Sequence, residues 1–139
     1  MTKRERVSRW PKNAIGTKLE QFNSTVVLLR SREEWNCAVS FLQGKPISQI
    51  EASHLAGDYA GLANYYAKSD RAKTMFLAGV FDGKRRTLLH ELDHVTFDIC
   101  GYYGIPTKAG DPNEFHCYML EFLFSELEKY VTPNATPTA

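Results

Sequence analysis

Two histidines spaced four residues apart inside a helical pattern constrain this chain more than any other feature. His90 and His94 are the ends of an H-E-L-D-H motif at residues 90–94. Apolar residues around the motif recur every three or four positions, which predicts a helix from Arg85 to about Tyr103. Residues four apart project from the same face of a helix, so both imidazoles are expected to reach one ligand from a rigid element.

The residue types in the motif favour a zinc site. Imidazole nitrogens bind Zn²⁺ well, and a glutamate directly after the first histidine is placed to take a proton from a metal-bound water. We therefore expect His90 and His94 to bind one Zn²⁺ per chain, with Glu91 as the catalytic general base. Two imidazoles and a carboxylate also match the ligand set of non-haem iron, but the helical motif favours zinc.

A catalytic zinc normally has a third protein ligand, and the fourth position is left for water. Glu114, in the first turn of the next predicted helix, can reach the site if that helix folds back across the motif helix. His116 is the rival, because two positions along a helix point about 200° apart and only one of the pair can face the metal. Glu121 lies further along the same predicted helix and could reach the metal only if that helix crossed the motif helix differently. Asp98 lies on the motif helix itself. It is expected either to contact a metal ligand without binding the metal or to be solvated.

The preceding part of the chain predicts a sheet and one further helix. Residues 25–30 are apolar and β-branched, as in a strand. A Ser-x-x-Glu capping box at residues 31–34 then predicts a helix that ends at Gly44. Residues 60–67 and 74–81 read as two strands, which we expect to form an antiparallel hairpin.

The predicted order of elements is strand, helix, strand, strand, helix, helix, which indicates an α+β fold with a small antiparallel or mixed sheet. A turn is expected at residues 69–71 within the hairpin. Asp111 is the expected N-cap of the last helix and Pro112 its first residue, and this helix should run to about Val131.

Length and composition indicate a single domain. The chain has 139 residues, of which 43% are hydrophobic and 24% charged, as in ordinary globular proteins. We expect a basic, irregular segment at residues 1–20, the metal-binding domain at 21–131 and a disordered tail at 132–139.

Net charge, cysteine usage and targeting signals indicate the expected cellular location and partners. The net charge is +1, and the three cysteines form no C-x-x-C pair. Neither a signal peptide nor a membrane-spanning run is visible, so a cytoplasmic protein is expected, with no membrane or nucleic-acid partner. The basic run at residues 84–86 is expected to be solvated, and the alternative is contact with an acidic partner.

The motif and its surroundings resemble the gluzincins, the thermolysin-type zinc metallopeptidases. Glu114 follows His94 by 20 positions (114 − 94) and is preceded by Asn113, as the glutamate ligand is in that family. The resemblance implies a minimal zincin-like domain, in which an active-site helix is followed by a ligand-bearing helix. It also implies that His90, His94 and Glu114 bind the zinc and that Glu91 is the base.

The gluzincin resemblance further implies a function. The zinc-bound water would attack a peptide carbonyl, and an edge strand of the hairpin would hold the extended peptide or protein substrate. One departure is Tyr118, where thermolysin-like enzymes have an aspartate that orients a histidine ligand; Asp93 or Asp98 would have to replace it. The third histidine of metzincins is absent, and Phe97 stands where their glycine would be.

Residues 86–123 are also similar to small HExxH proteins encoded by tailed phages and prophages. The shared layout continues after the motif as E-x-x-x-Y-L, which Glu114 and Tyr118 match here, with Met119 next and the leucine one position later at Leu120. This resemblance implies a location in the host cytoplasm, with phage or host proteins as partners, and virion association as the variant. The alternative function is a non-catalytic structural or assembly module that keeps the fold and the metal site.

Overall fold

A mixed four-stranded sheet forms the centre of the fold. The computed structural model describes residues 2, 5–67, 74–107 and 113–131. Within those residues the strands lie in the order β1-β2-β4-β3; β2 and β4 are parallel, and the two outer pairs are antiparallel. The strands are β1 (Ile15–Leu19), β2 (Ser24–Leu29), β3 (Gly61–Tyr66) and β4 (Thr74–Val80).

Helices cover both faces of this sheet. Successive residues of a strand point to opposite faces, so Val26 and Leu28 contact one helical layer while Val27 and Leu29 contact the other. The first layer contains α2 and α3, and the second contains α1 with the irregular segment after it. The helices are α1 (Arg32–Gln43), α2 (Arg85–Tyr103) and α3 (Glu114–Leu127).

Local sequence signals set the ends of the first two helices, as predicted. The Ser31 hydroxyl accepts a hydrogen bond from the backbone N–H of Glu34 at 3.1 Å, which caps α1. Gly44 follows α1 in the left-handed conformation with φ of 67°, which a glycine adopts without strain. Gly104 ends α2 in the same way, with φ of 71°.

The hairpin prediction is confirmed: β3 and β4 pair antiparallel. The expectation that residues 1–20 are irregular is wrong for Ile15–Leu19, which forms β1 and pairs with β2. Leu19 is buried in the core, so the domain begins before residue 21. The turn predicted at residues 69–71 lies outside the described residues.

The last helix starts and ends differently from the expectation. Asn113 stands at the N-cap of α3, and the helix proper ends at Leu127, before a short 3₁₀ turn at Glu128–Tyr130. Asp111, Pro112 and the tail at 132–139 lie outside the described residues. None of the helices in the described ranges combines the length and the apolar character needed to cross a bilayer.

Candidate metal centre

The two motif histidines lie side by side on the solvent-facing surface of α2. The ring centroids of His90 and His94 are 4.9 Å apart and the ring planes are inclined by 77°. Glu91 completes the group: one ligand atom from each of the three residues lies within 4.8 Å of the other two. Within the described part of the chain this His–Glu–His cluster (His90, Glu91, His94) is the one group with the spacing of a metal site.

Core packing determines the direction in which these histidines point. Leu88, Leu92 and Val95 are fully buried between α2 and the sheet. This apolar stripe fixes the rotation of α2 about its own axis, which leaves His90 and His94 exposed on the opposite side. The hydrophobic spacing of the sequence therefore orients both imidazoles toward solvent.

Glu91 lies at the boundary between the exposed and buried sides of α2. The residue is only 7% exposed. Burial raises the pKa of its carboxyl above the ordinary value, and the neighbouring His90 and His94 lower it in part. A carboxylate with a raised pKa is a stronger base, which suits a group that must accept a proton from water.

Gly61, the first residue of β3, allows the sheet to approach Glu91 closely. A Cβ atom at this position would lie 2.7 Å from the Gly79 carbonyl oxygen, 2.7 Å from Cγ2 of Thr87 and 2.9 Å from Cγ of Glu91. Gly61 was not among the site residues predicted from the sequence. A glycine at the start of a strand was the available signal, because it often marks a close backbone approach.

An open cleft of about 380 Å³ runs from the cluster to the beginning of α2. Its aspartate, Asp82, accepts hydrogen bonds from the backbone N–H of Lys84 at 3.0 Å and from the hydroxyl of Thr87 at 2.7 Å. Asp82 thereby satisfies donors in the first turn of α2. The residues that line this motif cleft are Ala60, Gly61, Asp82, Lys84, Arg86, Thr87, His90 and Glu91.

His116, the rival third ligand, is engaged elsewhere. Its Nε2 atom donates to Oδ1 of Asp93 at 2.8 Å, and its ring lies 4.2 Å from that of Phe97, measured between centroids. The contact joins α3 to α2 on the side away from Glu91. Asp93, one of the two residues expected to orient a histidine ligand, is therefore hydrogen-bonded to His116.

The structure does not bring Glu114 or Glu121 into the cluster. Both side chains are exposed on α3, and the His–Glu–His cluster does not include them. Asp98 is half-buried next to His94; burial raises the pKa of its carboxyl and His94 lowers it. The assignment of Glu114 as the third ligand stays a prediction.

Comparison with known proteins adds no relative. No protein-family model matches this chain, and the searches of curated proteins and of solved structures found no match. The similarity to gluzincins thus remains a prediction from the motif.

The cluster nevertheless fits a divalent cation on its own chemistry. It offers two imidazoles, which are usual nitrogen donors for zinc, and the Glu91 carboxylate beside them is placed to bind the cation or to accept a proton from its water. The exposed histidines leave the outer side of the site open to solvent, as a site that binds a substrate requires. The buried carboxylate closes the side that faces the sheet.

Proposed function

We propose that this protein is a zinc-dependent, metallopeptidase-like hydrolase. The supporting observation is the His–Glu–His cluster, in which a buried glutamate lies beside two exposed histidines and, together with His90, lines an open cleft. A structural zinc would need four protein ligands and no buried base. The proposal places the reaction in the cytoplasm, or in the host cytoplasm if a phage encodes the chain.

Each residue of the cluster has a separate task under this proposal. His90 and His94 hold the zinc, with Glu114 as the expected third ligand. Zinc, when bound, is a Lewis acid that lowers the pKa of water and polarises a substrate carbonyl. Glu91 accepts the proton of the attacking water and later returns it to the leaving amine.

The substrate is proposed to be an extended peptide or a protein segment. In the described residues β3 pairs with β4 on one side only, so its other edge offers backbone groups to a peptide strand. Gly61 at the start of this edge also lines the motif cleft. A peptide added to β3 would therefore pass close to Glu91 and His90.

One observation favours a second candidate, a non-catalytic phage structural or assembly module that binds metal. The Glu91 carboxylate lies among the three ligand atoms of the cluster, whereas Glu114 does not. If Glu91 binds the metal, it cannot also accept the proton of water. The two candidates therefore differ in the role of Glu91.

The first experiment measures bound metal and peptide hydrolysis in protein purified without chelator. We expect about one zinc per chain, with much less in Glu114→Ala and no change in Glu126→Ala, an exposed control on the same helix. Glu91→Gln should lower hydrolysis of a mixed peptide library by at least about a hundredfold, the scale of a lost general base.

Two results would contradict the proposal. Absence of metal after zinc is supplied would exclude a metalloenzyme. Full zinc occupancy without Glu91-dependent hydrolysis would favour the binding module.

A further inference from the structure

We propose that Arg86, assisted by Lys84, selects substrates that present a carboxylate in the motif cleft next to the scissile bond. This inference rests on the proposed function, because the ligand is its peptide substrate. It identifies a specificity-determining residue and a chemical class of substrate. The carboxylate can belong to an acidic side chain or to a peptide C-terminus.

Within the described residues, both cations of the cleft are without a side-chain partner. Neither Arg86 nor Lys84 forms an ion pair or hydrogen bond through its side chain with any residue in the described ranges. The neighbouring Arg85 differs, because its guanidinium forms an ion pair with Glu128. Asp82, the nearest carboxylate of the cleft, is occupied by the Lys84 backbone and the Thr87 hydroxyl.

Arg86 also lies close to His90 along α2. Arg86 precedes His90 by four positions, so the two side chains emerge one above the other on the same face of the helix. One helical turn, about 5.4 Å, separates them along the axis. A substrate that lies in the cleft next to His90 therefore has the Arg86 guanidinium within reach of its next residue.

Helix stability does not explain why these two cations lie at the start of α2. Positive side chains in the first turn oppose the helix dipole and are mildly unfavourable there. Both cations are exposed and line the cleft that ends at Glu91. A guanidinium binds a carboxylate through two parallel N–H donors, which makes Arg86 the main contact and Lys84 an auxiliary charge.

Peptide binding tests the inference without requiring turnover. The probes are three short peptide libraries with neutral flanking residues. The first has a fixed central Glu and blocked ends, the second a central Gln and blocked ends, and the third a central Gln and a free C-terminus. Fluorescence anisotropy measures their affinity for zinc-loaded Glu91→Gln protein. We expect the carboxylate to improve affinity about fivefold, the upper range for an exposed ion pair, and high salt to reduce this preference.

Charge reversal supplies the decisive comparison. Arg86→Glu should remove or invert the preference, and Arg86→Lys should retain part of it. Lys45→Glu, which makes the same change of net charge after α1 on the other side of the sheet, should leave the preference intact.

A gain for the Glu library identifies an acidic side chain, and a gain for the free C-terminus identifies a terminal carboxylate. Equal affinities, undetectable binding, or a preference that survives Arg86→Glu would overturn the inference. Failure of wild-type protein to hydrolyse any library would instead count against the proposed function alone.

Discussion

At the scale of single residues, Glu91 combines two demands that conflict. Its side chain fills the space below Gly61 and is almost fully buried. Burial disfavours the charged form of a carboxyl, which is why its pKa is raised. Under the proposed mechanism, the same carboxyl must be ionised to accept a proton. We therefore expect the ionised Glu91 carboxylate to lower the free energy of unfolding of the metal-free protein.

Glu91→Gln should increase the stability of the metal-free protein at neutral pH. The folded-state pKa of Glu91 is raised above its unfolded value. The contribution of Glu91 to folding stability is therefore fully present below the unfolded pKa and is lost as pH rises through the folded pKa. Glutamine has no charge to lose, so the variant should gain about 1.4 kcal/mol per unit by which the pKa is raised.

Urea unfolding in the presence of chelator, from about pH 5 to pH 8, measures this difference in unfolding free energy. The gain should shrink toward the acidic end of the range. Glu126→Gln makes the same chemical change at an exposed position and should show no such trend. A variant that is less stable than wild type at pH 8 would contradict the argument.

At the scale of elements, the close approach of β3 to α2 gives the cleft its floor. Gly61 contacts both the helix and the neighbouring strand, so the space for its side chain is already filled. Gly101, near the end of α2, has the opposite environment: a Cβ there would meet no atom within 4 Å. The two glycines therefore form a matched pair for substitution by alanine.

Gly61→Ala should destabilise the fold by roughly 1–3 kcal/mol, because the added methyl must displace backbone or the Glu91 side chain. Hydrolysis should fall further than stability alone explains, since Glu91 moves relative to His90. Gly101→Ala should stabilise the protein by about 0.5–1 kcal/mol, as alanine favours a helix interior. Thermal unfolding and peptide hydrolysis of both variants check this pair, and equal effects of the two changes would refute it.

Elements that depend on local signals could be predicted from the sequence, whereas one that depends on pairing could not. The apolar period gave the bounds of α2 at Arg85–Tyr103, and the Ser31 cap gave the start of α1. Strand β1 (Ile15–Leu19) contains a glycine and a lysine, and Leu19 is the one fully buried residue of its five. It forms because β2 supplies its hydrogen-bonding partner, which is a tertiary effect.

At the scale of the whole molecule, the candidate site also has a part that local sequence predicts and a part that depends on tertiary packing. His90, Glu91 and His94 share one helix, so helical geometry alone brings them together. A third ligand from α3 depends on how two helices pack, which no local pattern encodes. The sequence left Glu114, His116 and Glu121 as alternatives. The structure pairs His116 with Asp93 and leaves both glutamates exposed.

Zinc-dependent stability can decide which carboxylate binds the metal. A ligand that binds only the folded state raises the unfolding free energy by about 2.7 kcal/mol at a concentration of a hundred times Kd. We expect this increase in wild type, reversed by chelator, and its near-complete loss in His94→Ala. Thermal unfolding with and without zinc measures it as a shift of about 2–4 °C per kcal/mol for a domain of this size.

The two glutamate variants then separate the proposed hydrolase from the binding module. If Glu91 is the base and Glu114 the ligand, Glu91→Gln keeps the zinc-dependent increase and Glu114→Ala loses most of it. The reverse pattern would mean that Glu91 itself binds the metal, which leaves no group of the cluster free to accept a proton. Because each variant is compared with its own metal-free form, a change in the intrinsic stability of the fold does not disturb the comparison.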